Sequence, residues 1–170
     1  WGQSVPFRGG YFGEQNLATA IANSSQDDGG GSTSHNDIVK FAQEVMGKGW
    51  TYSMDNRTDF GAIGKPKEGG HADCSSFSWY CAKSCGYDVG GSAFNTGSAK
   101  GVLQQVSPDD TKAGDMVIND ANPHMGILEE KWHGGDTKVI DMNISENIAE
   151  EPYSQGFGTD SATWWGRPKK

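Results

Sequence analysis

The segment Asp-Cys-Ser-Ser-Phe at residues 73–77, with the apolar run after it, constrains the fold of this chain more than any other stretch. Asp and Ser side chains accept hydrogen bonds from the unpaired amides of a first helical turn, so the segment predicts a helix that begins at Cys74 and ends at Gly86. The helix dipole and the free backbone amides at such an N-terminus favour the thiolate of a cysteine over its thiol. We therefore interpret Cys74 as a nucleophile.

Cysteine and apolar side chains recur along this helix at helical spacing. Cys74, Phe77, Cys81 and Cys85 share one face, which we expect to pack on the core. The chain has three cysteines, and a pair at i, i+4 on one helix has poor disulfide geometry, so we expect three free thiols. Cys81 and Cys85 are interpreted as core residues, and the lack of a CxxC pair predicts no zinc site.

Length and charge limit the class of protein. The 170 residues, of which 34% are hydrophobic, suit one globular domain rather than two. The net charge of -8 argues against nucleic acid or an acidic membrane as the partner and favours a neutral or cationic substrate. No apolar run approaches the roughly 18 residues that span a bilayer. Because the chain begins at Trp1 rather than Met, we expect that it is cut from a longer protein whose targeting signal is not visible.

A Gly/Ser-rich stretch at residues 24–34 is typical of a flexible linker, and we place a domain boundary there. Residues 1–34 are then an upstream stub, with a short helical stretch at 14–22, followed by the linker. The stub is either the end of a preceding domain or an arm that packs on the next one. Residues 35–170 form the predicted domain.

The predicted order of elements in the domain is helices followed by strands. A helix is predicted from about residue 35 to Gly47, then an extended segment at 50–54 and a long loop at 55–70. Asn95 and Thr96 predict the cap of a further helix over 97–106. Strands are predicted at 115–119, 124–130, 137–144 and 162–165, with a turn at 133–136 that makes the middle two an antiparallel hairpin. This order predicts an α+β fold, with the helices packed on an antiparallel β-sheet.

Strand alternation brings a histidine and a carboxylate onto this hairpin. His124 and Gly126 share one face of their strand, and Asp141 and Asn143 share one face of the next, so Asp141 or Asn143 is expected beside His124. Gly126 is expected to let the start of the Cys74 helix approach the imidazole. The other three histidines are interpreted as surface or loop residues; they are His35, His71 and His133.

Six segments, in order, resemble those of the NlpC-type and CHAP-type cysteine peptidase superfamily. They are Tyr-Ser-Met-Asp-Asn-Arg at 52–57, Asp-Cys-Ser-Ser-Phe at 73–77, Asn-Thr at 95–96, Gly-Asp at 114–115, His-x-Gly at 124–126 and Val-Ile-Asp-x-Asn at 139–143. The first two look most like the bacteriophage peptidoglycan amidase group of that superfamily. The resemblance covers about residues 35–168.

This resemblance implies a papain-like fold without a metal or other cofactor. It makes Cys74 the nucleophile, His124 the general base and then acid, and Asp141 the residue that orients the imidazole. Relatives place His, Asn, Gln or Glu at that third position, so Asp141 departs from the commonest choice, and Asn143 is the alternative third group or a further site residue.

Three further residues take roles from the same resemblance. Tyr52 corresponds to a tyrosine beside the nucleophile. Asp73 and Ser75 correspond to residues at the amine end of the substrate.

The implied function is hydrolysis of an amide or peptide bond in the stem peptides of bacterial peptidoglycan. We expect a secreted or cell-envelope, monomeric module of a larger wall-remodelling, phage or conjugation lysin, with a lysozyme-like or wall-binding domain upstream and no nucleic acid partner. The sequence leaves open whether the enzyme is an endopeptidase or an N-acetylmuramoyl-L-alanine amidase, and we favour a peptide bond. It also leaves open an acyl or peptidyl transferase and a non-catalytic wall-binding module.

Overall fold

The structure, a computed structural model, describes residues 35–170. The predicted stub, the linker and the boundary between them and the domain lie outside these residues. Among the residues described, no helix combines the length and the apolar character needed to cross a membrane.

Helix α1, Asn36–Met46, is the amphipathic helix that the sequence predicts. Ile38, Val39, Ala42 and Val45 are buried, because 3.6-residue spacing places them on one side of the helix. His35 occupies the N-cap position without a side-chain cap. It lies in the non-helical segment before α1, within the expected class of surface or loop residues, and is partly buried against the ring of Tyr87, with 4.6 Å between the ring centroids.

Helix α2, Cys74–Ser84, begins where the sequence predicts. Asp73 is its N-cap: the carboxylate accepts from the Ser76 amide, and the Ser76 hydroxyl accepts from the Asp73 amide, which is a capping box. Burial is not confined to the predicted stripe, since every residue from Cys74 through Ala82 is buried. The helix is enclosed on several sides, whereas Cys85 at its C-cap is partly exposed.

A three-stranded sheet replaces the long loop predicted at residues 55–70. It consists of β1 (Thr51–Tyr52), β2 (Thr58–Ala62) and β3 (Lys65–Ala72), in the order β1-β3-β2. The prediction was wrong because glycine was taken as a loop signal. Gly70 instead permits close packing, since a Cβ there would lie 2.8 Å from the Trp50 ring. His71 consequently lies on a strand, where it bonds to Asp59.

The second half of the chain forms a six-stranded sheet and one short helix. The elements are β4 (Gln104–Gln105), β5 (Met116–Asn119), β6 (His124–Leu128), β7 (Lys138–Asn143), β8 (Asn147–Pro152), α3 (Tyr153–Phe157) and β9 (Trp164–Arg167). The strand order is β4-β9-β5-β6-β7-β8, with antiparallel pairing throughout. The β6–β7 hairpin confirms the sequence prediction, whereas β4, β8 and α3 were not predicted.

The helix predicted over 97–106 is only a 3₁₀ turn, Ser98–Gly101, and it is followed directly by β4. A second 3₁₀ turn is Pro108–Asp110. Asn95 does cap the first turn, because its side-chain oxygen accepts from the Ser98 amide at 2.8 Å. The cap was therefore predicted correctly, and the length of the helix was not.

The large sheet carries a different layer on each face. Met125, Ile127 and Ile140 belong to the main core with α1 and α2. The opposite face packs Leu128 and Val139 against the aromatic residues of α3. The α+β fold class is thus confirmed: helices, with the predicted nucleophile at a helix N-terminus, pack on an antiparallel sheet.

Candidate active site

Cys74 is the first residue of α2 and is 8% exposed. The helix leaves its first amides without intrahelical acceptors, and the Asp73 carboxylate takes up only that of Ser76. The amides of Cys74 and Ser75 are therefore still able to donate to a negatively charged oxygen beside the sulfur. The local sequence produces this arrangement, since the capping box fixes where the helix begins.

His124 is held by Asp141 on the neighbouring strand. His124 Nε2 lies 2.6 Å from Asp141 Oδ2, and the Asp141 side chain is fully buried. A carboxylate only accepts, so Nε2 carries the hydrogen and Nδ1 is the nitrogen left for another partner. The edge of the ring also packs on Phe157 of α3, with 4.5 Å between the centroids.

Cys74 is the second group that acts on the charge of the imidazole. Burial lowers the pKa of His124, but hydrogen bonds to Asp141 and Cys74, together with the charges of both, raise it to about 9. The imidazolium is therefore the favoured form at neutral pH, and it faces the sulfur. His124 is the first residue of β6, while α2 packs with Met125 and Ile127 in the main core.

Gly126 has a different role from the one predicted. A Cβ at this position would lie 3.1 Å from Asp141 Cβ and 3.5 Å from the Phe157 ring. The missing side chain therefore makes room for Asp141 and α3 and not for the start of the Cys74 helix. The sequence correctly predicted a close approach at Gly126 but assigned it to the wrong element.

Tyr52 lies close enough to Cys74 for the charge of that side chain to act on its phenol. Burial and the negative charges of Cys74 and Asp73 raise the pKa of its phenol, so the hydroxyl keeps its proton and is a donor. The Tyr52 amide donates to Asn147 Oδ1 at 2.9 Å, which ties β1 to the β7–β8 turn. Asn147 has a φ of +63°, a left-handed conformation that Asn tolerates better than most residues.

Asp73 and Ser75 lie at the start of α2, but they face the interior of the protein. Arg57 donates to Asp73 Oδ2 at 2.8 Å, to Ser75 Oγ at 3.0 Å and to the Phe94 carbonyl at 2.6 Å. Burial raises the pKa of Asp73, and the bonds from Arg57 and Ser76 more than offset it, so the net pKa is low. The contact of Asp73 and Ser75 with a substrate amine stays a prediction, since both side chains already have hydrogen-bond partners within the protein.

Asn143 does not hold the imidazole. Its Nδ2 donates to Glu151 Oε2 at 3.1 Å, while its Oδ1 accepts from the amides of Ser145 and Glu146 in the turn after β7. Of the two candidates that the sequence left open, Asp141 is the one that the structure places against His124.

A cavity of about 350 Å³ opens beside this group. Tyr52, His124 and Phe157 line it together with Asn143 and the strongly exposed Ile144. The cavity thus has aromatic and amide walls and one imidazole. Residues 35–170 contain no cluster of three or more His, Cys, Asp or Glu side chains placed to hold a metal ion.

No protein-family model matches this chain, and no curated protein matches it. Among solved structures, it is similar to the crystal structure of the NlpC/p60 domain of the peptidoglycan hydrolase SagA. The identity is 20% and the TM-score 0.47, over 77% of this chain and 96% of that one. A likeness of this degree assigns no function, so the functional proposal depends on the geometry of the site.

Sequence reasoning missed four residues of this region, namely Arg57, Asn147, Glu151 and Phe157. One signal was present for Phe157: Pro152 stands before α3, and Gly158, with a φ of +72°, stands after it, which is the usual asymmetry of a short helix. Arg57 is the last residue of the motif at 52–57, but no role was predicted for it, and Glu151 had no such signal. Their partners are brought to them only by the tertiary fold.

Proposed function

We propose that this protein is a cysteine hydrolase that cleaves an amide or peptide bond in peptidoglycan stem peptides. The observation that carries the proposal is the position of His124, which bonds to buried Asp141 through Nε2 and interacts with Cys74 at a helix N-terminus. A nucleophile, a base and a third group that orients the base are the requirements of nucleophilic acyl transfer.

The proposed chemistry follows from the arrangement of Cys74, His124 and Asp141. The Cys74 thiolate attacks the acyl carbon, and the oxyanion is held by the first amides of α2, with the Tyr52 hydroxyl as a further donor. The His124 imidazolium gives its proton to the leaving amine, so a thioester and a neutral imidazole remain. His124 then takes a proton from the attacking water, and expulsion of the thiolate restores the ion pair.

The substrate class is supported by charge and by the motif resemblance. A chain with a net charge of -8 suits a substrate that carries amines, and stem peptides present Lys, diaminopimelate or free amino ends. We further propose that the domain acts at the cell wall as a monomer and is joined through residues 1–34 to a wall-binding or glycan-cleaving domain. No metal enters the mechanism.

Digestion of purified peptidoglycan tests this proposal. Wild-type protein should release soluble muropeptides that mass spectrometry detects, and Cys74→Ser should release none while unfolding at the same temperature. Cys81→Ser is the matched control, because it makes the same substitution at a buried core cysteine that has no part in the proposed chemistry. Lysis by folded Cys74→Ser would contradict the proposal.

The same products identify the bond. Glycan that still carries a short stem shows cleavage within the peptide, which we favour, whereas glycan without peptide shows an amidase. Addition of a free amine tests for transferase activity, because a transferase would give amide-linked products in place of free carboxylates.

A further inference from the structure

Behind the His124–Asp141 pair lies a second carboxyl group, Glu151 of β8. Its side chain is 4% exposed, and its Oε2 accepts from Asn143 Nδ2 at 3.1 Å. In the register of β7 and β8, Asp141 pairs with Ala149, and Glu151 follows two residues later, on the same face. Asp141 and Glu151 are thus diagonal neighbours beneath the imidazole.

Gly156 of α3 shows how close the two carboxyl groups are. A Cβ at this glycine would lie 2.8 Å from Glu151 Oε2 and 3.2 Å from Asp141 Oδ2. Only a residue without a side chain fits against both groups. The carboxyl groups are therefore covered by α3 and kept from water on that side.

Asp141 has one oxygen without a partner. Oδ2 is bonded to His124, whereas Oδ1 is buried and finds no hydrogen-bond donor within residues 35–170. Two ionised carboxylates offer each other only acceptors, whereas a proton on the neighbouring Glu151 supplies the donor that this buried oxygen lacks.

We propose that Glu151 is a positioning residue that stays protonated and donates its O–H to Asp141 Oδ1, which fixes the carboxylate that orients His124. We assign the proton to Glu151 Oε1, because Oε2 already accepts from Asn143. The Asp141 and Glu151 pair then carries one negative charge, which is balanced by the imidazolium. This inference rests on the proposed function.

The charges around Glu151 agree with a neutral carboxyl. Burial raises its pKa, and the carboxylates of Asp141 and Glu146 raise it further, while His124 lowers it; the result is about 8. The side chains of α3 carry no charge. Below about pH 8 the proton is present, and above it two buried carboxylates face each other.

The test measures the pH dependence of Cys74 alkylation by iodoacetamide, which needs no knowledge of the substrate. Glu151→Gln keeps a donor and an acceptor but cannot ionise. It should therefore alkylate like wild type near neutral pH and lack the inflection of wild type near pH 8. Glu151→Ala should react about 10- to 100-fold more slowly, as expected when a partner behind a site residue is lost.

Glu150→Gln is the matched control, because Glu150 lies next on the same strand but on the opposite face, bonded to Gln43. It should retain the wild-type profile. A protonated-carboxyl infrared band at neutral pH, present in the wild-type minus Glu151→Gln difference spectrum, reports the proton directly and is independent of reactivity.

The inference is overturned by the absence of that band, by superposable profiles for wild type and Glu151→Gln, or by a Glu151→Gln variant that reacts as slowly as Glu151→Ala. The comparison of wild type with Glu151→Gln decides whether Glu151 is protonated even if Glu151→Ala does not fold. A wild-type Cys74 no more reactive than an ordinary thiol would contradict the proposed function instead, and the infrared band would still decide whether Glu151 holds the proton.

Discussion

Asp141 Oδ2 lies 2.6 Å from His124 Nε2, and the aspartate is fully buried while the histidine side chain keeps 15% of its surface exposed. The carboxylate therefore acts from inside the protein on a ring whose other nitrogen is available to Cys74. This arrangement predicts how Cys74, the imidazole and the buried groups around them respond to substitution and to pH.

Cys74 should be the first cysteine to be alkylated near neutral pH. Burial raises the pKa of Cys81 well above its usual value and that of Cys85 to about 12, so both stay as unreactive thiols. Cys74 instead faces an imidazolium. Peptide mapping after brief exposure to iodoacetamide measures the order of labelling, and equal labelling of all three thiols would contradict the prediction.

Asp141→Asn should lower kcat by about 10²- to 10⁴-fold, the range associated with general acid–base catalysis. Without the negative charge, the pKa of His124 falls from about 9, so the imidazolium is lost at a lower pH and the alkaline limb of activity moves down. Asn143→Ala is the control with a milder effect, because Asn143 bonds to Glu151 and to its own turn. If Asn143→Ala lowered kcat more than Asp141→Asn, the orienting role would belong to Asn143.

Arg57→Ala should destabilise the fold by roughly 2–5 kcal/mol, because it leaves the buried Asp73 carboxylate without its cation beside the start of α2. Arg57→Lys should recover only part of this stability, since an ammonium does not reproduce the fork of bonds to Asp73, Ser75 and Phe94. Urea unfolding measures both variants. Lys48→Ala, which removes an ion pair to the exposed Glu68, is the control and should change the free energy of unfolding by less than about 1 kcal/mol.

The free energy of unfolding should decline as the pH rises from about 5 to 9. Burial raises the pKa of Glu129 to about 9, helped by its bond to Glu150, and that of Glu151 to about 8. The folded protein holds both protons more tightly than the unfolded chain does, so stability falls once the pH passes the unfolded value of 4.5. The contribution of His124 is complete below 6.5 and is lost as the pH rises through about 9.

Urea unfolding at several pH values measures this slope. Glu129→Gln should flatten it, because the group that takes up the proton on folding is removed. Glu68→Gln, at an exposed position, should leave the slope as it is. A stability that rises between pH 5 and 9 would show that these groups are not buried in solution as they are in the structure.

The local parts of the site could be predicted from the sequence. The capping box fixes the start of α2 within four consecutive residues, so the position of Cys74 needs no tertiary information. Alternation along β6 and β7 likewise restricts the partner of His124 to two residues on one face. Fold class follows in the same way from the order of helices and strands.

Two other features were not predicted from the sequence. The hairpin of β2 and β3 was taken as a loop, because the glycines that make its turn and receive the Trp50 ring look like linker residues in isolation. The contact of Phe157 with the His124 imidazole was not predicted, since α3 has only five residues and shows no helical periodicity.

The sequence by itself determined that Cys74 starts a helix, that His124 lies on a strand next to Asp141 and Asn143, and that the fold is α+β, because capping and alternation act between residues a few positions apart. Only the tertiary structure decided that Asp141 and not Asn143 holds the ring, that Arg57 supports Asp73, and that Glu151 lies behind Asp141. The physical reason is that strand register, helix docking and desolvation depend on residues distant along the chain, and these set which buried carboxyl group keeps its charge and which keeps its proton.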